Sequence, residues 1–193
     1  MPINLVAWMP ASPEFPLDEL VVRAMDGSPD SGFDCGRADQ TDFLYERAWE
    51  DHQAQLSVTY LYYFGGILAA YATVGMDALP LARSERDPAM RYRDVSAMKL
   101  AQLGVHRPFQ GMGLGRVVVG DIVELARDEA LRVGCRYLTL DAQPDLVGWY
   151  ESMGFERNVL RQAQRIRDAI EHRRDPDTIA VSMRFDLRKH IRG

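Results

Sequence analysis

Three glycines alternate at Gly111, Gly113 and Gly115, behind Gln110 and ahead of Arg116. Upstream, Leu100, Leu103 and Val105 are apolar with small or polar residues between them, which reads as a strand. Arg107-Pro108 interrupts the pattern, because proline disfavours helix in the residue before it. Downstream, Val118, Ile122, Leu125 and Val133 recur at amphipathic helical spacing. The order is therefore strand, glycine-rich loop, helix N-terminus. Glycines let a backbone approach a ligand without Cβ clashes. The unpaired N–H groups of a first helical turn, with the helix dipole, make an anion site. Gln110, Gly111, Met112, Gly113, Leu114, Gly115 and Arg116 are read as a pyrophosphate cradle.

Spacing narrows the ligand. A P-loop ends in Gly-Lys-Ser/Thr, and this chain has no Gly-Lys. A dinucleotide fingerprint, Gly-x-Gly-x-x-Gly, meets Arg116 when counted from Gly111 and Val118 when counted from Gly113, so it fails twice. Cys35 and Cys135 have neither metal spacing nor a disulfide framework, so they are read as small buried residues in a reducing, cytoplasmic compartment, and no metal is expected. His106 and His52 are candidate bases, each more simply read as a surface or capping histidine.

Several elements must position that loop. With 193 residues the chain can hold a full core, and a single domain over 1–193 is expected. Met1–Pro16 has no basic segment followed by an apolar run, so no leader is expected. Leu20–Met25 reads as a strand, and Ala38–Gln55 as a helix carrying Phe43, Leu44, Ala48 and Trp49, with Asp34 and Asp39 as caps. Leu56–Met76 lacks any charge, yet Gly65-Gly66 at its middle predicts a β-hairpin and not a membrane span. Ala78–Asp94 is a loop with Arg83, Arg86, Arg91 and Arg93, read either as a solvated loop or as a cationic lip over the site. Gly134 stops the central helix, and Cys135–Asp141 is a strand. Pro144–Met153 is a short helix, and Phe155 opens another strand. Val159–Arg174 is a helix with Val159, Leu160, Ala163, Ile166 and Ile170 on an inward stripe and a basic opposite side. Ile179–Leu187 alternates as a half-buried strand.

The net charge of −5 argues against a dominant nucleic-acid-binding field. Any such contact is local, through the arginine loop or through Arg157–Arg174, where six arginines face Asp168 and Glu171. Changing Arg161, Arg165 and Arg173 to Glu is the sequence-based test of RNA binding by that helix.

Three segments carry a family resemblance: Leu103-Gly104-Val105 running into Gln110–Gly115, Leu138-Thr139-Leu140-Asp141-Ala142, and Gly148-Trp149-Tyr150-Glu151-Ser152-Met153-Gly154-Phe155. Together they resemble the GNAT family of N-acetyltransferases from about Leu20 to Leu187. The resemblance implies an α/β fold with a mixed, mostly antiparallel central sheet flanked by helices, here with an inserted helix at about 159–174. It also implies acetyl-CoA as co-substrate, with pantetheine alongside Leu103, Gly104 and Val105, and Tyr150 as the acid that protonates the leaving thiolate. The bottom-up reading of Tyr150 is a core aromatic at helical spacing with Leu146 and Met153.

Phe33-Asp34-Cys35-Gly36, Phe43-Leu44, Thr59-Tyr60, Arg91 and Asp141-Ala142 further resemble the GNAT toxins of toxin–antitoxin pairs. That likeness implies acetylation of aminoacyl-tRNA, with Arg91 and Arg93 as substrate contacts. It also implies a ribbon-helix-helix antitoxin as partner and a homodimer. The acidic net charge and the inserted helix depart from those toxins. A peptide, polyamine or drug amine therefore stays open as acceptor, and so does a module that binds acyl-CoA without turnover.

Overall fold

The computed structural model describes residues 15–189. Of the leader reading over Met1–Pro16, all but the last two residues lie outside them. Seven strands form one sheet in the order β1-β2-β3-β4-β5-β7-β6, where β1 is Leu20–Ala24, β2 Val58–Phe64, β3 Ile67–Pro80, β4 Asp94–Val105, β5 Tyr137–Ala142, β6 Glu156–Arg157 and β7 Val181–Asp186. The pairs β1–β2, β2–β3, β5–β7 and β6–β7 are antiparallel. The helices are α1 (Ala38–Glu46), α2 (Ala48–Gln53), α3 (Leu114–Val133), α4 (Val147–Ser152) and α5 (Val159–Glu171). The mixed fold expected from sequence is the fold observed. The chain forms two compact units: one ends at Gly75 and resumes over Leu100–Glu124, and the other takes Met76–Lys99 and the chain from Leu125 onward.

In the first unit, the Gly-Gly turn is real: Gly65 and Gly66 sit at φ +56° and +80°, which a two-residue hairpin requires. Leu68–Val74 is buried at every residue, so this strand is covered on both faces and reads as an uncharged run. No helix among the described residues is long and apolar enough to cross a membrane. The single helix expected over Ala38–Gln55 is two, broken at Arg47, whose φ of −127° leaves the helical region. Its entry is not capped by Asp34 or Asp39; the cap position is Arg37, whose side chain makes no capping bond to the helix. Phe33, Phe43, Leu44, Leu61 and Tyr71 build the core here.

In the second unit, β5 starts at Tyr137, two residues later than expected, and the strand at Phe155 is only Glu156–Arg157. Leu79, Leu81, Ala97 and Tyr137 cluster in its core, with Met90 and Val95 against them. β7 is buried on both faces, not one, because its polar residues are held: Asn158 donates to the Ser182 hydroxyl at 3.0 Å, and Arg184 donates to Asn158 at 2.9 Å. Val133, assigned to the inward face of α3, is exposed at the helix end, just before Gly134 at φ +75°.

Helix α5 overturns the expected stripe. It stops at Glu171, not Arg174, and Arg173 adopts φ +54°. Val159 and Ile170 are each 61% exposed, and Ala169 is the buried residue of the helix. The side that meets protein is the one with Arg161 and Arg165, each in a 2.6 Å ion pair, with Asp77 and Asp141. Two of the three arginines in the proposed RNA test are therefore structural.

Candidate active site

The glycine loop is built on a staple. Gln110 Nε2 donates to the carbonyl oxygens of Val105 and Cys35, both at 2.8 Å. Arg107 Nε donates to Asp34 Oδ2 at 2.8 Å, and Arg107 N–H to the Asp34 carbonyl at 2.9 Å. Asp34 Oδ1 also accepts the Gly36 N–H at 2.6 Å. That bond, with the Arg107 guanidinium behind it, holds the Asp34 carboxyl below its ordinary range. So Gln110, read from sequence as a cradle residue, anchors the loop, and Phe33-Asp34-Cys35-Gly36 is the surface it is fastened to. Leu114 is fully buried beneath the loop.

What the loop presents is backbone. Gly111 and Gly113 lie at φ +76° and +87°, where only glycine is at ease. The first bond at the start of α3 runs from the Arg116 N–H to the Gly113 carbonyl at 3.0 Å, so the N–H groups of Leu114 and Gly115 are among those that a helix start leaves without an intrahelical acceptor. Backbone N–H groups at the start of a 20-residue helix are the kind of donor that an anion would meet. Behind it, Gly104 is buried in β4 because a Cβ there would stand 2.5 Å from the Tyr71 ring and 3.2 Å from Phe33. Tyr71 is itself fixed by donating to the Gln40 carbonyl at 2.7 Å. Leu103 and Val105, its neighbours on the strand, are half-buried.

Tyr150, in the second unit, is 6% exposed on α4, between Trp149 and Phe155 in edge-on ring contacts at 4.7 and 5.5 Å. Burial pushes its phenol well above the usual tyrosine range, so it keeps its proton at neutral pH. The other buried tyrosines donate to protein: Tyr62 to Asp121, Tyr71 to Gln40, Tyr137 to the Met90 sulfur. Among the described residues no such bond is seen from the Tyr150 hydroxyl.

The candidate bases fare less well. His106 Nδ1 lies 3.0 Å from both the Asp34 N–H and the Asp34 carbonyl oxygen, accepting from the first in one tautomer and donating to the second in the other, so this nitrogen is engaged in either. His52 Nδ1 faces the Thr59 N–H at 3.4 Å. Among the described residues no group of His, Cys, Asp and Glu is arranged to hold a metal ion. Cys35 and Cys135 are free and buried, as read from sequence.

The arginine loop in the second unit is fastened by its acids. Glu85 accepts the N–H groups of Val159 and Leu160 at 2.9 and 3.2 Å, capping α5 from outside the helix, and pairs with Arg184 at 2.7 Å. Burial alone would raise its pKa; the Ala82, Val159 and Leu160 N–H groups and Arg184 bring it below the ordinary value. Asp87 faces Arg188 at 3.2 Å and Arg136 at 3.9 Å. Arg91 and Arg93 are exposed. Asp141 joins Lys99 at 2.7 Å as well as Arg165, and Thr139 donates to Asp77 at 2.6 Å. Sequence reasoning missed the Asp34–Arg107 and Glu85–Arg184 pairs, whose partners are far apart in sequence and give no local signal.

A fold of this kind, with a glycine loop opening its central helix, is that of an acyl-CoA-dependent transferase. The chain belongs to the GNAT acetyltransferase family: the family's model matches residues 25–155. It is similar to KacT in a tyrosine-to-phenylalanine mutant structure, with a TM-score of 0.71, 19% identity, and coverage of 88% of this chain and 96% of that one. It is also similar to AtaT complexed with acetyl-methionyl-tRNAfMet, with a TM-score of 0.70, 19% identity, and 88% and 95% coverage. A third, AtaTR bound with acetyl-CoA, gives a TM-score of 0.66, 19% identity, and 89% and 95% coverage. Among curated sequences, the uncharacterized N-acetyltransferase ycf52 of Pyropia yezoensis is 37% identical over 51 residues, 26% of this chain and 27% of that protein. The chain thus spans about a quarter of the length of the curated relative it matches.

Proposed function

We propose that this chain is an acetyl-CoA-dependent N-acetyltransferase acting on the α-amino group of aminoacyl-tRNA. The observation that carries the catalytic part is the glycine-rich loop, with Gly111 and Gly113 at positive φ, leading straight into the N-terminus of the 20-residue helix α3. The loop and helix start would hold the pyrophosphate of acetyl-CoA, with pantetheine alongside Leu103, Gly104 and Val105 as an added strand. The amine attacks the thioester carbonyl carbon, and its new C–N bond forms as the C–S bond breaks. The thiolate takes the phenolic proton of Tyr150, and the proton lost by the amine goes to water and then back to the phenolate. An α-amino group, with a pKa near ~7.7–8.0, needs little help from a base at neutral pH, which accords with two engaged histidines.

The acceptor reading is supported by the exposed Arg91 and Arg93 and by the neighbours, one of which is AtaT with acetyl-methionyl-tRNAfMet. Other neighbours are AtaT with the C-terminus of the antitoxin AtaR and KacTA with DNA. By the same reading this chain is silenced by an antitoxin of the ribbon-helix-helix type, and it works as a homodimer. A small-molecule or peptide amine is the second reading, favoured by the net charge of −5.

The deciding experiment supplies the purified chain with labelled acetyl-CoA and, separately, charged tRNA, uncharged tRNA and a panel of small amines. Label on charged tRNA alone supports the proposal. Label only on small amines gives the second reading. No thiol release with any acceptor leaves a binding module.

A further inference from the structure

Arg91-Tyr92-Arg93 is an exposed triplet on a loop that is otherwise tied down. Tyr92 is 76% exposed and is the one aromatic among the exposed large apolar side chains of the described residues. No other ring or guanidinium lies against it there. The loop around it is fastened on both sides. Arg93 accepts the Leu81 N–H at 3.0 Å, Met90 N–H donates to the Asp87 carbonyl at 2.8 Å, and Met90 packs on Leu79, Leu81, Ala97 and Tyr137. Asp87 meets Arg136 and Arg188. Arg136, Arg161, Arg165 and Arg184 in this unit are each in an ion pair, whereas Arg91 and Arg93 make none among the described residues.

An exposed aromatic ring with an exposed arginine on either side of it in the chain, neither in an ion pair among the described residues, matches one kind of ligand. Every nucleobase has a π-face that stacks on an aromatic ring, and the adjoining phosphates match the cations. We infer that Tyr92 is a stacking platform for an unpaired base of single-stranded RNA, with Arg91 and Arg93 on the flanking phosphates. The inference rests on the reading that the acceptor is a charged tRNA, whose amino acid sits on a single-stranded end. It makes Tyr92 a positioning residue for that end and the arginine loop a reader of unpaired RNA. The protein's net charge of −5 then requires that binding be short-ranged and confined to this tip.

The test is fluorescence anisotropy of a labelled single-stranded RNA octanucleotide with the full-length chain, as wild type, Tyr92→Ala, Tyr92→Phe and the double change Arg91→Ala, Arg93→Ala. Tyr92→Ala should weaken binding at least about fivefold and Tyr92→Phe should hold wild-type affinity, since stacking needs the ring and not the hydroxyl. The double change should lower the slope of log K against log salt by about 1.4. Thermal melts should match throughout, because Tyr92 packs on nothing. The inference is overturned if wild type does not bind, if Tyr92→Ala binds as wild type, or if it loses equal affinity for polyglutamate, which would make the tip a site for acidic protein. If charged tRNA is never acetylated while RNA binding still depends on the Tyr92 ring, the acceptor reading fails and the stacking platform stands.

Discussion

Around the glycine loop, the groups that could meet a ligand are backbone N–H groups, and the side chains nearby serve to hold the backbone still. On α5 the reverse holds: the side chains with ligand-like chemistry, Arg161 and Arg165, are themselves the fastening, tied to Asp77 and Asp141. The first region is a candidate site held in place by structure. The second is structure that resembles a site. Charge density in the sequence does not separate the two; the partners do. A guanidinium with a half-buried carboxylate at 2.6 Å has little to offer an RNA phosphate, while an N–H at a helix start with no acceptor has everything to offer a pyrophosphate.

The sharpest way to break this contrast is Gly113→Asp. It places a negative side chain where phosphate would sit, at a φ of +87° that aspartate tolerates better than most residues. Acetyl-CoA affinity by calorimetry should fall about 100-fold or more, the cost of like charges at close range, with the melting temperature nearly unchanged. Unchanged affinity would move the cradle elsewhere.

Arg161→Ala probes the other side of the comparison. It leaves Asp77 without its guanidinium in a pair whose side chains are only 14% and 16% exposed. Breaking such a pair from one side costs about 3 kcal/mol. Chemical denaturation should read that loss directly. If stability holds and RNA binding falls instead, Arg161 belongs to an interface and the contrast collapses.

The smallest effect expected is a pH response of the arginine loop. Glu85 has a folded pKa below its ordinary value near 4.5, so its contribution is fully present above that value and is lost as pH falls through the depressed one. Acid should therefore release the cap on α5. The Glu85→Gln variant should lose stability at neutral pH and show a flatter acid limb than wild type. An identical acid limb would mean other carboxylates carry it.

What the sequence disclosed follows the same division. Glycine positions, the Gly65-Gly66 hairpin and the strand–loop–helix order were readable because each answers a local backbone requirement. The inward face of α5 was not, because long-range ion pairs turned the helix against its apolar periodicity: Val159 and Ile170 face out. The break at Arg47 has no glycine or proline to announce it. Asp34 looked like a cap because capping is the local use of an aspartate, and its partner Arg107 lies 73 residues away. Tyr150 was legible as a motif residue, but the fold alone sets its ring between Trp149 and Phe155, with no bond seen from the hydroxyl among the described residues.

That hydroxyl is also the most direct test of the account. Tyr150→Phe keeps the ring between Trp149 and Phe155 and deletes only the donor. Removing a positioned general acid costs about 10²–10⁴ in rate, and a thiolate with a pKa near ~8.5 needs only modest help, so the low end is expected. Steady-state thiol release should fall about 100-fold, while acetyl-CoA affinity and the melting temperature stay at wild-type values. Full turnover by Tyr150→Phe would contradict the account: the tyrosine would be a packing residue, and the proton would come from water or from the acceptor.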